Sequence, residues 1–261
     1  MATAAPVEKI DIGRVIGRGF EALRANFLAF FGCALLLTGV PYSFMQYWML
    51  SQMPAAGEPE LFLSLRYWGP IVGALVLTMV TWALLQAVLV RSTVLYLSGR
   101  QADFLHSVTL ALGLLVPIIL VSIVVGLLVA LGFLLLIVPG IMIYCAFLVT
   151  VPALIEERRG VFGSMQRSRD LTRGSRMRIF LLAVVFWIFS IVIEGVLGLI
   201  GGASIIGGGT EVPDPILAGA AAGVSSALTS VIVAVSLAAL YVELRTVKEG
   251  ATTDHLAAIF E

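Results

Sequence analysis

Long stretches without a charged residue divide the chain into segments that predict membrane spans. Five such stretches cover residues 25–57, 67–90, 107–155, 179–193 and 215–242. A bilayer core about 30 Å thick needs about 20 helical residues to cross it. Apolar residues run continuously through each stretch instead of alternating with polar ones, which favours α-helices over the strands of a barrel.

The stretch 107–155 is too long for one span. Its 49 residues would form a helix about 74 Å long at 1.5 Å per residue. Gly132 and Pro139-Gly140 bracket a tight turn, because glycine and proline end or break helices. The sequence therefore predicts six transmembrane helices, at residues 27–50, 69–92, 109–131, 137–156, 178–200 and 216–242.

Composition narrows the class of protein. The 261 residues are 60% hydrophobic and only 12% charged, and the mean hydropathy is +1.06. Soluble domains carry about 25% charged residues, so this chain has too little polar surface to cover itself in water. The values exclude a disordered chain, a nucleic-acid-binding domain and an ordinary cytosolic enzyme. We expect a single membrane domain over residues 1–261.

Basic residues set the predicted orientation. Six spans place both termini on one side, together with the segments 91–107 and 156–178. That side holds 15 of the 16 Lys and Arg residues, and Arg66 is the remaining one. Because basic residues concentrate in cytoplasmic loops, we expect a multi-pass protein of the bacterial inner membrane. Both termini, including a tail at 243–261, are then cytoplasmic.

Three charged triads, each with a cation, an acid and a cation at intervals of three, precede the odd-numbered spans. They begin at Arg18, Arg100 and Arg167, and their spacing puts the charges on one helical face. The first triad lies in an amphipathic segment, 9–25, whose helix Asp11 can cap. Unless the triads arise by chance, they predict an all-α fold of three transmembrane hairpins, each preceded by a cytoplasmic interfacial helix.

The segment 156–178 is the most basic part of the chain, with seven arginines against three acidic residues. Arginines near a membrane surface can bind anionic phospholipid headgroups, at about 1 kcal/mol for each. They can equally fix topology and pair with neighbouring acids. The candidate headgroup contacts are Arg167, Arg173, Arg176 and Arg178.

Glu194 is the only ionisable residue well inside a predicted span. A carboxylate within a membrane is costly and by default suggests a functional site. Ser226 and Thr229 lie at a similar depth on the sixth span and complete a candidate polar site. One interpretation is a proton or cation site. The other is that the helix ends near Gly201-Gly202, so that Glu194 reaches water on the outer side. A hydrated cavity at Glu194 would favour the first interpretation, and a dry bundle would remove it.

No pattern indicates enzyme chemistry. The two histidines, His106 and His255, are 149 residues apart, and HExxH, GxSxG and P-loop motifs are missing from the sequence. Cys33 and Cys145 lie in apolar stretches without CxxC spacing. We therefore expect no catalytic residue, metal or cofactor. The expected partners are the bilayer, its anionic headgroups and an unidentified membrane protein, without nucleic acid.

Two stretches resemble a known family. The first holds Val151-Pro152-Ala153-Leu154-Ile155-Glu156-Glu157 and Arg167-Ser168-Arg169-Asp170-Leu171-Thr172-Arg173-Gly174, and the second is Tyr241-x-x-Leu244-Arg245-x-x-Lys248-Glu249-Gly250. Both are similar to bacterial integral membrane proteins grouped with the membrane domain of glycerophosphoryl diester phosphodiesterase and with the YciC-like proteins. The resemblance implies a polytopic inner-membrane protein. We expect none of the soluble phosphodiesterase barrel that some members carry, and no catalytic residue to transfer.

The sequence as a whole favours a non-enzymatic scaffold or accessory factor that works at the lipid surface or with a membrane partner. The alternative is a small transporter or channel that uses Glu194.

Overall fold

The computed structural model describes residues 10–51, 65–99, 104–200 and 214–249, and all regular structure within these ranges is helical. A π-helix at Leu35–Gly39 separates the first two α-helices. The α-helices are α1 (Ile12–Ala34), α2 (Val40–Ser51), α3 (Leu65–Leu97), α4 (Phe104–Leu135), α5 (Ile137–Phe147), α6 (Thr150–Glu157), α7 (Gly160–Thr172), α8 (Arg176–Ile200) and α9 (Pro215–Glu249). The predicted all-α fold is confirmed.

Six helical segments among the described residues are long and apolar enough to cross a bilayer. They are Ile12–Ser51, Trp68–Leu97, Ser107–Leu135, Ile137–Glu157, Arg176–Ile200 and Pro215–Glu249. Each predicted span lies within one of them. The prediction of six transmembrane helices is confirmed, and the chain is a multi-pass membrane protein.

The spans differ in how much of their surface the protein covers. In the most apolar 18-residue stretch of α9, 61% of the residues are buried. In the most apolar stretches of α4 and of α8, 11% of the residues are buried. Large apolar side chains therefore cover the outside of α4 and α8, as Leu112, Val116 and Trp187 illustrate. Continuous apolar surfaces of this kind are stable against lipid and not against water.

The first helix begins as the sequence predicts. Asp11 Oδ1 accepts hydrogen bonds from the backbone N–H groups of Gly13, at 2.8 Å, and Arg14, at 3.3 Å. These contacts satisfy two of the donors that a helix N-terminus leaves free. Backbone angles at Asn26 depart from helical values (φ −125°, ψ 20°), so α1 kinks between the predicted interfacial helix 9–25 and the predicted span 27–50.

The turn predicted within 107–155 lies between α4 and α5, where two glycines let the helices touch. α4 ends at Leu135 and α5 begins at Ile137. A Cβ atom on Gly132 would lie 2.9 Å from the Cα of Gly140, and one on Gly140 would lie 2.6 Å from the ring of Phe133. Residues with side chains cannot approach this closely, so glycine at both positions permits the hairpin.

The three charged triads have different structural settings. The triad at Arg167 begins on α7, a separate helix, and its third residue, Arg173, directly follows that helix. The Ser168 hydroxyl of α7 donates a 2.8 Å hydrogen bond to the Ala146 carbonyl. The triad at Arg18 belongs to α1, which continues into the first span. Arg100 of the second triad lies outside the described residues. So do Asp103 of that triad, residue 9 of the predicted interfacial helix, Gly201-Gly202 and residues 250–261 of the predicted tail.

The residues form two compact units. The first draws on Met1–Ala25, Ala87–Val184 and Ala234–Glu261, and the second on Asn26–Gln86 and Val185–Val233. The first unit holds α7 and the ion pairs described below. The second holds α2 and the Glu194 segment of α8. The single membrane domain over 1–261 stays a prediction.

Candidate functional site

The second unit contains a cleft of about 470 Å³ whose wall is mainly apolar and includes several polar side chains. The lining residues of each helix recur at intervals of three or four, so each helix presents one face to the cleft. α2 supplies Tyr42, Gln46 and Leu50, and α8 supplies Glu194 and Gly198. α9 supplies Ala218, Ala221, Ala222, Ser225, Ser226, Thr229 and Ser230. The cleft thus brings together the three residues predicted as a polar site, namely Glu194, Ser226 and Thr229.

Glu194 is available to a ligand. Its side chain is exposed, and it makes no hydrogen bond or ion pair with the residues that the structure describes. Among the described residues that line the cleft, none is a lysine or arginine that could neutralise it. An unpaired carboxylate among apolar helices attracts any cation that can reach it, because few other groups nearby stabilise the charge.

Two hydroxyl groups of the cleft also lack partners. Ser225 is 7% exposed, and neither its Oγ nor the Oγ1 of Thr229 bonds to a described residue. Buried polar atoms normally find a hydrogen-bond partner. Ser225 and Tyr42 were not predicted from the sequence. The signal for Ser225 was the Ser-Ser doublet at 225–226 followed four residues later by Thr229-Ser230, a spacing that repeats one polar face.

Two hydroxyl groups of α3 are not part of the cleft. The hydroxyl of Thr78 bonds to the Ala74 carbonyl at 2.8 Å, and that of Thr81 bonds to the Leu77 carbonyl at 3.0 Å. Both bonds run back along the same helix, which is the common way for a membrane helix to satisfy a hydroxyl. These two side chains are therefore already satisfied locally.

A π-helix precedes the part of α2 that lines the cleft. Pro41 has no N–H and its ring crowds the preceding turn, so a regular α-helix cannot continue through it without strain. The chain widens instead at Leu35–Gly39, and Val40 N–H bonds to the Leu35 carbonyl. This turn sets which α2 residues face the cleft, and π-helical turns often occur at functional sites.

Glycines bring α2 and α9 unusually close beside the cleft. A Cβ atom on Gly223 would lie 1.8 Å from Ser43 Oγ and 2.6 Å from the Gly39 carbonyl oxygen, and one on Gly219 would lie 3.0 Å from the Ser43 carbonyl oxygen. Small residues of this kind allow close helix packing in membranes, and here they pack within the chain.

The four arginines predicted to contact headgroups differ in what they already bind. Arg167 is only 17% exposed and forms ion pairs with Glu157, at 2.7 Å, and with Glu249. Arg178 Nη1 donates a 2.6 Å hydrogen bond to the Ile10 carbonyl. Both side chains are therefore committed to contacts within the protein.

The other two are less engaged. Arg176 Nε is buried and makes no hydrogen bond to a described residue. The side chain of Arg173 is exposed and forms no ion pair within the described part of the chain, although its backbone carbonyl accepts a hydrogen bond from Lys248 Nζ. Of the four, Arg173 remains the most accessible to a headgroup.

The residues that carry the family resemblance contact one another in the first unit. Glu157 accepts hydrogen bonds from Arg167 Nε, at 2.7 Å, and from the Tyr241 hydroxyl, at 2.9 Å. The neighbouring Glu156 pairs with Arg91 at 2.7 Å. These bonds join α6, α7, α9 and α3, so the short motifs are parts of one polar network.

Glu243 is a buried carboxylate that sequence analysis assigned to the tail. Its side chain has no exposed surface and pairs with Arg18, at 2.9 Å, and Arg14, at 3.3 Å. Arg14 and Arg18 are four residues apart and share a helical face, which is the signal that could have indicated a common acidic partner.

Comparisons with known proteins give the family. Neither a curated protein nor a solved structure matches the chain. One family model, with the description "Domain of unknown function (DUF7847)", matches residues 10–244. This match includes parts of both units and all six spans predicted from the sequence. The chain belongs to the DUF7847 family.

Proposed function

We propose that this multi-pass membrane protein binds a small cationic solute in the cleft at Glu194 and acts as a small transporter or channel. The observation that carries the proposal is the cleft itself, which groups the unpaired carboxylate of α8 with polar side chains of α2 and α9. A dry, fully packed bundle would have favoured a scaffold. Binding sites of transporters lie between helices and often beside irregular helical turns, and the π-helix at Leu35–Gly39 is such a turn.

Purified protein in vesicles tests this proposal. Currents are recorded on a supported membrane after concentration jumps of sodium chloride and of methylammonium chloride. We expect the wild type to carry charge with at least one of these cations and Glu194→Gln to lose about 90% of the signal. Ser190→Ala is the matched control. Ser190 lies one turn before Glu194 on α8, and its hydroxyl already donates a hydrogen bond to the Phe186 carbonyl. Currents equal to those of protein-free vesicles would overturn the proposal.

A second candidate function is that of a non-enzymatic scaffold or accessory factor, held at anionic lipid or by an unidentified membrane protein. Arg169 and Arg173 support it, because both are exposed and neither side chain forms an ion pair with a described residue. Short-chain phosphatidylglycerol should raise the melting temperature of the wild type more than phosphatidylcholine does. Arg169→Ala/Arg173→Ala should abolish that difference, while Arg24→Ala, which removes an exposed arginine elsewhere, should keep it. An unchanged difference in the double variant would contradict this candidate.

We further propose that the protein resides in a bacterial inner membrane with both termini in the cytoplasm. The support is the distribution of Lys and Arg, of which 15 of 16 fall on one predicted side. Fusing a reporter that is active only in the cytoplasm to each terminus tests this orientation. Two active fusions are expected, and one inactive fusion would contradict it.

The wider relationship is also a proposal. We infer that the DUF7847 family is related to the membrane domain of glycerophosphoryl diester phosphodiesterase and to the YciC-like proteins. Its support is that the shared motifs meet in space through Glu157, Arg167 and Tyr241. A structure of a YciC-like protein in which the residues equivalent to Glu157, Arg167 and Tyr241 do not contact one another would contradict this relationship.

A further inference from the structure

The face of α8 that carries Glu194 is exposed over about two helical turns. Trp187 and Ile191 lie seven and three residues before Glu194, so the three side chains share one helical face. Trp187 is 66% exposed and Ile191 is 48% exposed, and Glu194 is exposed as well. Exposed apolar side chains on a membrane-spanning helix lie against lipid. The α8 side of the cleft therefore borders the bilayer.

The opposite face of α8 is apolar too. Val192, Val196 and Leu199 are each about half exposed, and Glu194 is the only charged residue in the stretch 179–200. The helix therefore contacts lipid over most of its circumference, and its single carboxylate stands in an apolar surface. A solute dissolved in the bilayer can reach Glu194 sideways, along α8, without leaving the lipid.

The size and wall of the cleft favour a solute with apolar surface. Its volume of about 470 Å³ falls within the range of about 300–1,000 Å³ for pockets that hold drug-sized ligands. Leu50 and three alanines, Ala218, Ala221 and Ala222, belong to its mainly apolar wall. Burying apolar groups against such a wall is favourable, at about 25 cal/mol for each Å² removed from water. A bare metal ion has no apolar surface and gains nothing from this wall.

The charge of the cleft selects a cation. Among the described residues of the lining, Glu194 alone is charged, so an anion finds no countercharge there. The other polar side chains, such as Gln46 and Ser226, are neutral. Tyr42 adds an aromatic ring to the lining, and aromatic rings attract organic cations through their electron-rich faces. One charge in a mainly apolar wall therefore suits an organic cation with a single positive charge.

Resting on the proposed function, we infer that the solute of this cleft is a lipophilic organic cation that enters from the bilayer beside α8. The Glu194 carboxylate neutralises its charge, and its apolar groups lie against Leu50 and the alanines of α9. An unpaired charge is costly in apolar surroundings. Pairing relieves this cost for the solute and for Glu194 at once.

Thermal unfolding of the detergent-purified, full-length protein tests the class of solute, because a ligand that binds the folded state raises the melting temperature. The probe is methyltriphenylphosphonium chloride. Triphenylphosphine oxide has the same three rings and no net charge, and methylammonium chloride has the same charge with little apolar surface. We expect the phosphonium to bind the wild type with an apparent affinity at least tenfold above that of either comparison compound.

Two variants separate the charge from the apolar wall. Glu194→Gln should weaken phosphonium binding at least tenfold, whereas Ser190→Ala should bind as the wild type does. Leu50→Asn should weaken phosphonium binding about tenfold and leave methylammonium unaffected, since it removes only apolar surface. Met49→Asn is its matched control, because Met49 is exposed on α2 and lies outside the lining. Melting temperatures without ligand show which variants are folded, and Leu50→Asn keeps the test decisive if Glu194→Gln fails to fold.

Chemical labelling tests entry from the bilayer. Dicyclohexylcarbodiimide dissolves in lipid and adds to a protonated carboxyl group, and the rearranged N-acylurea retains every atom of the reagent. Peptide mass mapping of the protein in vesicles locates this adduct. We expect the lipid-soluble reagent to label Glu194 at least tenfold faster than a water-soluble carbodiimide, and methyltriphenylphosphonium to slow the labelling.

The outcomes separate this inference from the function beneath it. If methylammonium binds through Glu194 as tightly as the phosphonium, the lipophilic class is wrong and the cation-binding cleft stays in place. Equal stabilisation by triphenylphosphine oxide would overturn the inference, since the charge would not be recognised. Equal or faster labelling by the water-soluble carbodiimide would overturn entry from the bilayer. If no cation stabilises the protein through Glu194 and no current is carried, both proposals fail.

Discussion

Arg18 donates a hydrogen bond of 2.9 Å from Nη1 to Oε2 of Glu243, a carboxylate with no exposed side-chain surface. Arg14 Nε lies 3.3 Å from the other oxygen of the same carboxylate. The two arginines are each about one-third exposed, so the charge pairs join a half-buried face of α1 to a fully buried position on α9.

Removing both arginines should destabilise the protein, because it leaves Glu243 buried without a countercharge. We expect Arg14→Ala/Arg18→Ala to lower the free energy of unfolding by about 3 kcal/mol, the scale for breaking a buried pair from one side. Denaturant unfolding followed by tryptophan fluorescence measures this change. Adding Glu243→Gln to the double variant should recover part of the loss, since it removes the stranded charge.

The matched control for this ion pair is Arg24→Ala. Arg24 lies on α1, is exposed and forms no ion pair with a described residue. Its removal should change stability by less than about 0.5 kcal/mol. A double variant no less stable than Arg24→Ala would show that Glu243 does not depend on Arg14 and Arg18.

Gly223→Ala should force α2 and α9 apart. The added Cβ would lie 2.6 Å from the Gly39 carbonyl oxygen, and backbone cannot move aside as a flexible side chain can. Overpacking of this kind costs about 1–3 kcal/mol, and the thermal melting temperature should fall accordingly. Gly73→Ala is the control, because a Cβ atom added at Gly73 would have nothing within 4 Å of it. If the two variants have the same melting temperature, the close approach of α2 and α9 is not required for stability.

Tyr241→Phe should lose the hydrogen bond to Glu157 while keeping the ring in place. Glu157 retains its ion pairs with Arg167 and Arg159, so the loss should be about 1–2 kcal/mol in the free energy of unfolding. Tyr144 is 42% exposed and its hydroxyl has no described partner, so Tyr144→Phe should be neutral. Cation currents should persist in Tyr241→Phe, and their loss would indicate that the polar network does more than hold α6 to α9.

Gly198→Leu should obstruct the cleft without disturbing the fold. Nothing lies within 4 Å of a Cβ atom at Gly198, and the residue lines the cleft beside Glu194. We expect the melting temperature to stay within about 2 °C of the wild type, as for a surface substitution, while cation-dependent stabilisation is lost. Gly195→Leu adds the same side chain at an open position outside the cleft and should bind normally. Normal binding by Gly198→Leu would mean that the solute does not occupy this cleft.

Features set by neighbouring residues could be predicted from the sequence. The six spans could be counted from the long charge-free runs. Each span forms a helix independently, because a helix satisfies its own backbone polar groups in lipid. Asp11 caps α1 through residues two and three positions away. Gly132 and Gly140, on either side of the short turn between α4 and α5, let the two helices touch. Glu194 stood out because a charged residue is rare in such a run.

The tertiary structure alone decided which of these residues meet. The contact between Arg18 and Glu243 joins positions 225 residues apart, and nothing local to Glu243 distinguishes it from an exposed residue of the tail. The sequence predicted Arg167 as a surface arginine that can bind headgroups, whereas in the structure α6 and α9 place Glu157 and Glu249 beside it. Ser225 became part of the cleft because close packing at Gly223 fixes which face of α9 lies beside α2. Hydropathy is a property of each segment, so the sequence by itself determines the spans. Pairing depends on which helix faces come together, and that is settled only when the whole chain has packed.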